Sequence, residues 1–145
     1  MTSKKKILVV DDNEDNREIF AFRLEQLGFE VLVASNGKEA IKTASQAKPD
    51  LIFMDLRMPV MDGWEATRAL RQTEWGKDLP VVAVTGHAME EDRRRALNAG
   101  CNEFISKPVM DYAIFRETIQ RLLRKKEELS GPILGSLPHP PGRRP

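Results

Sequence analysis

ILVVDDNEDN, residues 7–16, joins four apolar residues to two adjacent carboxylates. Ile7 to Val10 is short and rich in β-branched side chains, which predicts a strand buried on both faces. Asp11 and Asp12 then stand at the carboxyl end of that strand, and Asp12 or Asn13 can cap a helix that follows. Strand, polar edge and amphipathic helix together form the repeating unit of an α/β fold. The question is what the paired acids do at that edge.

The unit recurs. ILVV (7–10), FEVLVA (29–34), LIFM (51–54), PVVAV (80–84) and EFIS (103–106) read as strands by length and composition. Four of them read as buried on both faces; FEVLVA alternates Phe29, Val31, Val33, the pattern of a more peripheral strand. Between and after them lie helical stripes: Phe20, Leu24, Leu27 ahead of Gly28; Ala40, Ile41, Ala44; Ala66, Ala69, Leu70; Met89, Ala96, Leu97; and Phe115, Ile119, Leu122. The order is βα five times, which predicts a parallel sheet covered by helices on both faces. In PVMDG, residues 59–63, Pro59 and Asp62-Gly63 read as a turn in which the glycine takes φ > 0 before a helix starting near Trp64.

Composition limits the function. The chain has 145 residues, a one-domain length, and 23 basic against 22 acidic side chains give a net charge of +1. That balance offers no general attraction to nucleic acid or to a membrane surface. One cysteine, Cys101, excludes an internal disulfide, and it reads as a small buried filler beside a strand. No apolar stretch approaches the ~20 residues of a membrane span, and no export signal is evident, so a soluble cytoplasmic protein is expected. From Ser130, SGPILGSLPHPPGRRP replaces periodicity with proline and glycine. Residues 130–145 are expected to be a disordered tail; an arginine-tipped peptide for a partner is the sharper reading.

The polar residues fall in one place. Asp11 and Asp12 follow the first strand, Asp55 the third, Thr85 the fourth and Lys107 the fifth, all at the edge where open α/β sheets bind ligands. Each alone has a bland explanation as a cap, a β-former or solvated surface. Together, three clustered carboxylates repel by several kcal/mol at a surface-like dielectric, so positive charge must offset them. Lys107 supplies one charge, and a hard divalent cation such as Mg²⁺, content with one or two carboxylates and water, supplies two more. A carboxylate so placed can attack phosphorus to form an acyl phosphate, and the Thr85 hydroxyl can donate to a phosphate oxygen.

VVDDN, LIFMDLRMPVMDG, VVAVTGHA and FISKP, in that order across residues 5–127, resemble the receiver domains of bacterial two-component response regulators, single-domain and chemotaxis-regulator-like. The resemblance implies a doubly wound flavodoxin-like (βα)5 sandwich with strand order 2-1-3-4-5, an order carried over from the family. It implies Asp55 as phosphoacceptor, Mg²⁺ held by Asp12 and Asp55 directly, by Asp11 mainly through water, and by the backbone carbonyl of Arg57. It implies Thr85 and Phe104 as the switch pair, Lys107 as the phosphate-binding lysine, and a cis peptide between Lys107 and Pro108. Arg57 and His87 occupy positions that tune phosphoryl lifetime in the family; Arg93, Arg94 and Arg95 read as a solvated face or part of an output surface. Implied partners are a histidine kinase or histidine phosphotransfer protein, a downstream protein target, and a second copy in a homodimer. Direct DNA binding is not expected, because no helix-turn-helix module fits after Leu129. The expected activity is a signalling switch that catalyses only its own phosphorylation and dephosphorylation.

Two rival readings remain. A Mg²⁺-dependent phosphohydrolase of the haloacid dehalogenase type also uses a strand-end aspartate, but it wants a second acid two residues on, where this chain has Arg57. A degenerate receiver would act as an interaction module without phosphate; the complete set Asp12, Asp55, Thr85 and Lys107 counts against it. A dinucleotide site is weaker still, since no G-x-G-x-x-G follows the first strand.

Overall fold

Successive side chains of a strand point to opposite faces, and this chain fills both. The computed structural model describes residues 4–86, 89–107 and 112–129, residues 126–129 by backbone alone. In chain order the elements are β1 (Lys6–Val10), α1 (Glu14–Gln26), β2 (Glu30–Ala34), α2 (Gly37–Ala47), β3 (Leu51–Met54), α3 (Gly63–Arg71), β4 (Val81–Thr85), α4 (Glu90–Ala99), β5 (Glu103–Ser106) and α5 (Ala113–Leu129). All pairings in the sheet are parallel, in the order β2-β1-β3-β4-β5. The expected (βα)5 architecture and strand order are therefore present.

Ile7, Val9, Leu51, Phe53, Val82 and Val84 face a core completed by Phe20 and Leu24 of α1 and by Phe115, Ile119 and Leu122 of α5. The alternate residues Leu8, Val10, Ile52, Met54, Val81 and Ala83 face a second core with Ala40, Ala44, Ala66, Leu70 and Ala96 from α2, α3 and α4. Each large side chain removed from water in this way contributes ~1.5–3 kcal/mol. The helices begin where short polar side chains can cap them: Asn13, Asn36 and Asp62 accept from the backbone amides of Asn16, Glu39 and Glu65. Gly28, at φ 102°, follows α1 in the left-handed conformation that favours glycine.

Three expectations need correction. EFIS is an edge strand, and Glu103 to Ser106 are half-buried or exposed, because β5 has a neighbour on one side only. The fourth helix does not bury Met89 or Leu97, which are 67% and 39% exposed; Met89 is the N-cap, and the inward stripe is Asp92, Ala96, Ala99. The positive φ after Asp55 belongs to Val60, at 69°, where Met61 donates to the Pro59 carbonyl at 2.7 Å in a tight three-residue turn. Gly63 serves close approach instead: a Cβ there would run into the Asp55 carbonyl oxygen and the Leu56 backbone. Pro108, His87 and residues 130–145 lie outside the described residues, as does the expected Lys107–Pro108 cis peptide.

Candidate functional site

The strand order sets the site. β1 lies between β2 and β3, so the chain leaves β1 in one direction and returns on its other side, opening a crevice at the carboxyl ends of β1 and β3. Asp11 and Asp12 enter it from β1, and Asp55 from β3. The backbone fixes their bases: the Asp11 amide donates to Ala34 and the Asp55 amide to Val10, at 3.1 and 2.9 Å. One carboxylate oxygen each from Asp11, Asp12 and Asp55 lies within 4.8 Å of the others. Asp11 and Asp55 are 3% and 8% exposed, and Asp12 is open to solvent.

Lys107 reaches the same crevice from the end of β5. Its ammonium donates to Asp11 Oδ2 at 2.7 Å and to Asp55 Oδ2 at 3.3 Å, and its amide donates to the Thr85 carbonyl at 2.8 Å. Asp11 also accepts from the Asn13 amide at 2.9 Å. Burial pushes the Asp55 pKa up; Lys107 pulls against it, Asp11 adds to it, and the net direction is upward. Burial depresses Lys107, but its bonds to Asp11 and Asp55 more than offset that, and its pKa rises. Three carboxylates face one ammonium here. The remaining negative charge and the hard oxygen donors fit a divalent cation such as Mg²⁺.

Thr85 is 1% exposed at the end of β4, beside Ser106 of β5. Phe104 lies opposite Ala83 in the sheet and packs, half-buried, against the α2–α4 core. Arg57 follows Asp55 by two residues, but its guanidinium pairs with Asp92 at 2.9 Å, on the first turn of α4. A cavity of about 550 Å³ opens beside Asp11 and Lys107, lined also by Asn16, Ile19, Phe20 and Tyr112. The sequence-predicted residues Asp11, Asp12, Asp55 and Lys107 thus cluster at one edge of the sheet, with Thr85 bonded to Lys107 through its backbone.

Residues 7–127 match the family model described as response regulator receiver domain. The chain belongs to the response regulator receiver family. Its similarity to the polar-differentiation response regulator DivK of Brucella anthropi is 39% identity over 119 residues, 82% of this chain and 96% of the relative. Among solved structures, the receiver domain of a sensor histidine kinase from Pseudomonas aeruginosa superimposes with a TM-score of 0.78 at 35% identity, covering 84% of this chain and 99% of that one. That structure holds a magnesium ion in its active-site cleft. The chemotaxis protein CheY4 of Vibrio cholerae gives 0.77 at 31% identity, covering 83% and 99%. The fold is the flavodoxin-like fold of these receivers, and the chain is a receiver of two-component signal transduction, a class that acts as signalling switches. No helix among the described residues is long and apolar enough to cross a membrane.

Sequence reasoning missed Asp92. The signal was available: Asp92 stands four residues before Ala96 and seven before Ala99, on the stripe that α4 buries.

Proposed function

We propose that Asp55 accepts a phosphoryl group from the phosphohistidine of a histidine kinase or histidine phosphotransfer protein. An Asp55 carboxylate oxygen bonds to phosphorus while the phosphorus–nitrogen bond to the donor imidazole breaks, leaving an acyl phosphate. The observation that carries this reading is the single ammonium of Lys107 shared between Asp11 and Asp55 inside a three-carboxylate cluster. Asp11, Asp12 and Asp55, with the Arg57 backbone carbonyl carried over from the family, are the residues to hold Mg²⁺. Bound there, the cation supplies charge neutralisation for the phosphoryl oxygens.

The chain's own groups do the rest. Lys107 leaves the Asp55 carboxylate for a phosphoryl oxygen, a stronger charge-assisted bond. Thr85 presents its hydroxyl to the same group, and Phe104 follows Thr85 inward, shifting the population of a pre-existing active packing. The output is contact with a downstream protein or a second copy of the chain, in the cytoplasm. The test is incubation of the full chain with acetyl phosphate and Mg²⁺, followed by intact-mass measurement. One phosphoryl adduct is expected, dependent on the metal and missing in Asp55→Asn; an adduct that persists in that variant rejects the assignment.

A further inference from the structure

The position two residues after Asp55 carries a cation that is already engaged on α4. Arg57 Nη2 donates to Asp92 Oδ1 at 2.9 Å, and the guanidinium carbon lies 5.2 Å from the ring centre of Trp64. Arg95, one turn along α4 from Asp92, lies 3.8 Å from the same ring. The pair is unequal: the Arg57 side chain is 49% exposed and that of Asp92 9%. A half-exposed arginine loses little on leaving such a pair. A buried carboxylate left behind is costly.

We propose that Asp92 is a positioning residue for the phosphoryl chemistry: it holds Arg57 on α4 in the unphosphorylated chain, and a phosphoryl group on Asp55 competes for that arginine. The proposal rests on Asp55 as acceptor. An aspartyl phosphate presents a dianion with three acceptor oxygens, which a guanidinium binds bidentately. Once Arg57 turns to it, the guanidinium covers an approach by which water reaches phosphorus. In hydrolysis the water oxygen bonds to phosphorus, the bond from phosphorus to the Asp55 oxygen breaks, and carboxylate, inorganic phosphate and a proton are released. Asp92 meanwhile loses its cation, so the first turn of α4 is destabilised where it stands. The same exchange therefore sets the lifetime of the phosphoryl group and biases the position of α4.

The test compares wild type, Asp92→Asn, Arg57→Ala and the double variant, each full chain, labelled with acetyl phosphate and Mg²⁺ and followed by intact mass after the donor is removed. Asp92→Asn keeps the shape and removes the charge that holds Arg57, so the adduct should last at least about two- to fivefold longer, the range for an exposed pair being the lower bound because Asp92 is buried. In the Arg57→Ala background the same substitution should change nothing. A second readout uses Trp75→Phe, which leaves Trp64 as the one tryptophan of the chain's two. Phosphorylation should change Trp64 emission there, and Arg57→Ala should abolish that change. A lifetime unchanged or shortened in Asp92→Asn, or lengthened equally without Arg57, overturns the proposal. A wild type that takes no phosphoryl group removes the acceptor assignment and this proposal together, whereas a labelled wild type without the coupling removes this proposal alone.

Discussion

Asp55 is 8% exposed, and removing its carboxylate from water raises its pKa against the pull of Lys107. A raised acid contributes stability that is present at low pH and lost as pH rises through the folded value. At neutral pH the ionised Asp55 therefore costs stability. Asp55→Asn should raise the melting temperature by a few degrees at pH 7 in chelator, and the gain should vanish as the pH falls below the usual carboxylate range. Calorimetry across that range decides it; an equal gain at every pH would remove the electrostatic explanation. Lys107, raised in the fold, behaves at the other end, its contribution being lost as pH climbs above the ordinary lysine value. Val60 is exceptional in its backbone, a β-branched side chain at φ 69° and 76% exposed. Left-handed backbone costs ~1–2 kcal/mol for such a residue. Val60→Asn, better suited to that region, should add ~1 kcal/mol in urea denaturation. At this scale the sequence was readable where a polar residue ends a strand, as at residues 11, 55, 85 and 107. The inward face of Asp92 was readable from its spacing to Ala96 and Ala99, but its pairing with Arg57 was not, since the two are 35 residues apart and meet only through the packing of α4.

Elements are joined here by polar groups that hydropathy does not reveal. Arg71, the last residue of α3, donates to the carbonyls of Gly76, Leu79 and Gly100 and to the Asn102 side chain. It thereby ties the end of α3, the connection to β4 and the turn between α4 and β5 into one unit. Burial lowers its pKa, and the carbonyls around it depend on its donors. Arg71→Met keeps the volume and deletes the donors, so a loss on the order of 2–4 kcal/mol is expected in denaturation followed by tryptophan emission. A loss below ~1 kcal/mol would show that water replaces the guanidinium. The helices themselves were legible from spacing: α1, α2, α3 and α5 bury Phe20 and Leu24, Ala40 and Ala44, Ala66 and Leu70, and Phe115, Ile119 and Leu122, while Leu27, Ile41 and Ala69 of the stripes read from sequence are half-buried. The α4 stripe was misread because Met89 lies at the cap, where a side chain is off the helical face.

Over the whole molecule, function depends on crossing order: residues 11 and 107 are 96 positions apart, yet their side chains meet at 2.7 Å because β1, β3, β4 and β5 are consecutive in the sheet. Alternation of strands and helices foretold a parallel sheet, but spacing alone does not order the strands; that came from family resemblance. The edge position of β5 came with that order, but its partial exposure was not legible in the residues themselves, since four residues of mixed character suit an edge or an interior. Lys107 sits between β5 and α5, so its placement depends on how firmly α5 docks. Docking runs through three rings, Phe20, Phe53 and Phe115, with centroids 4.6–5.0 Å apart. Phe115 is fully buried, and Phe115→Ala removes contacts to both α1 and the sheet. The expected loss is ~3–5 kcal/mol, a large share of the ~5–15 kcal/mol that holds a domain together. Urea denaturation measures the loss, and hydrogen exchange should show α5 losing protection before β1 and β3. If all three lose protection together, the molecule opens as one unit and α5 has no separate freedom through which Lys107 could be moved.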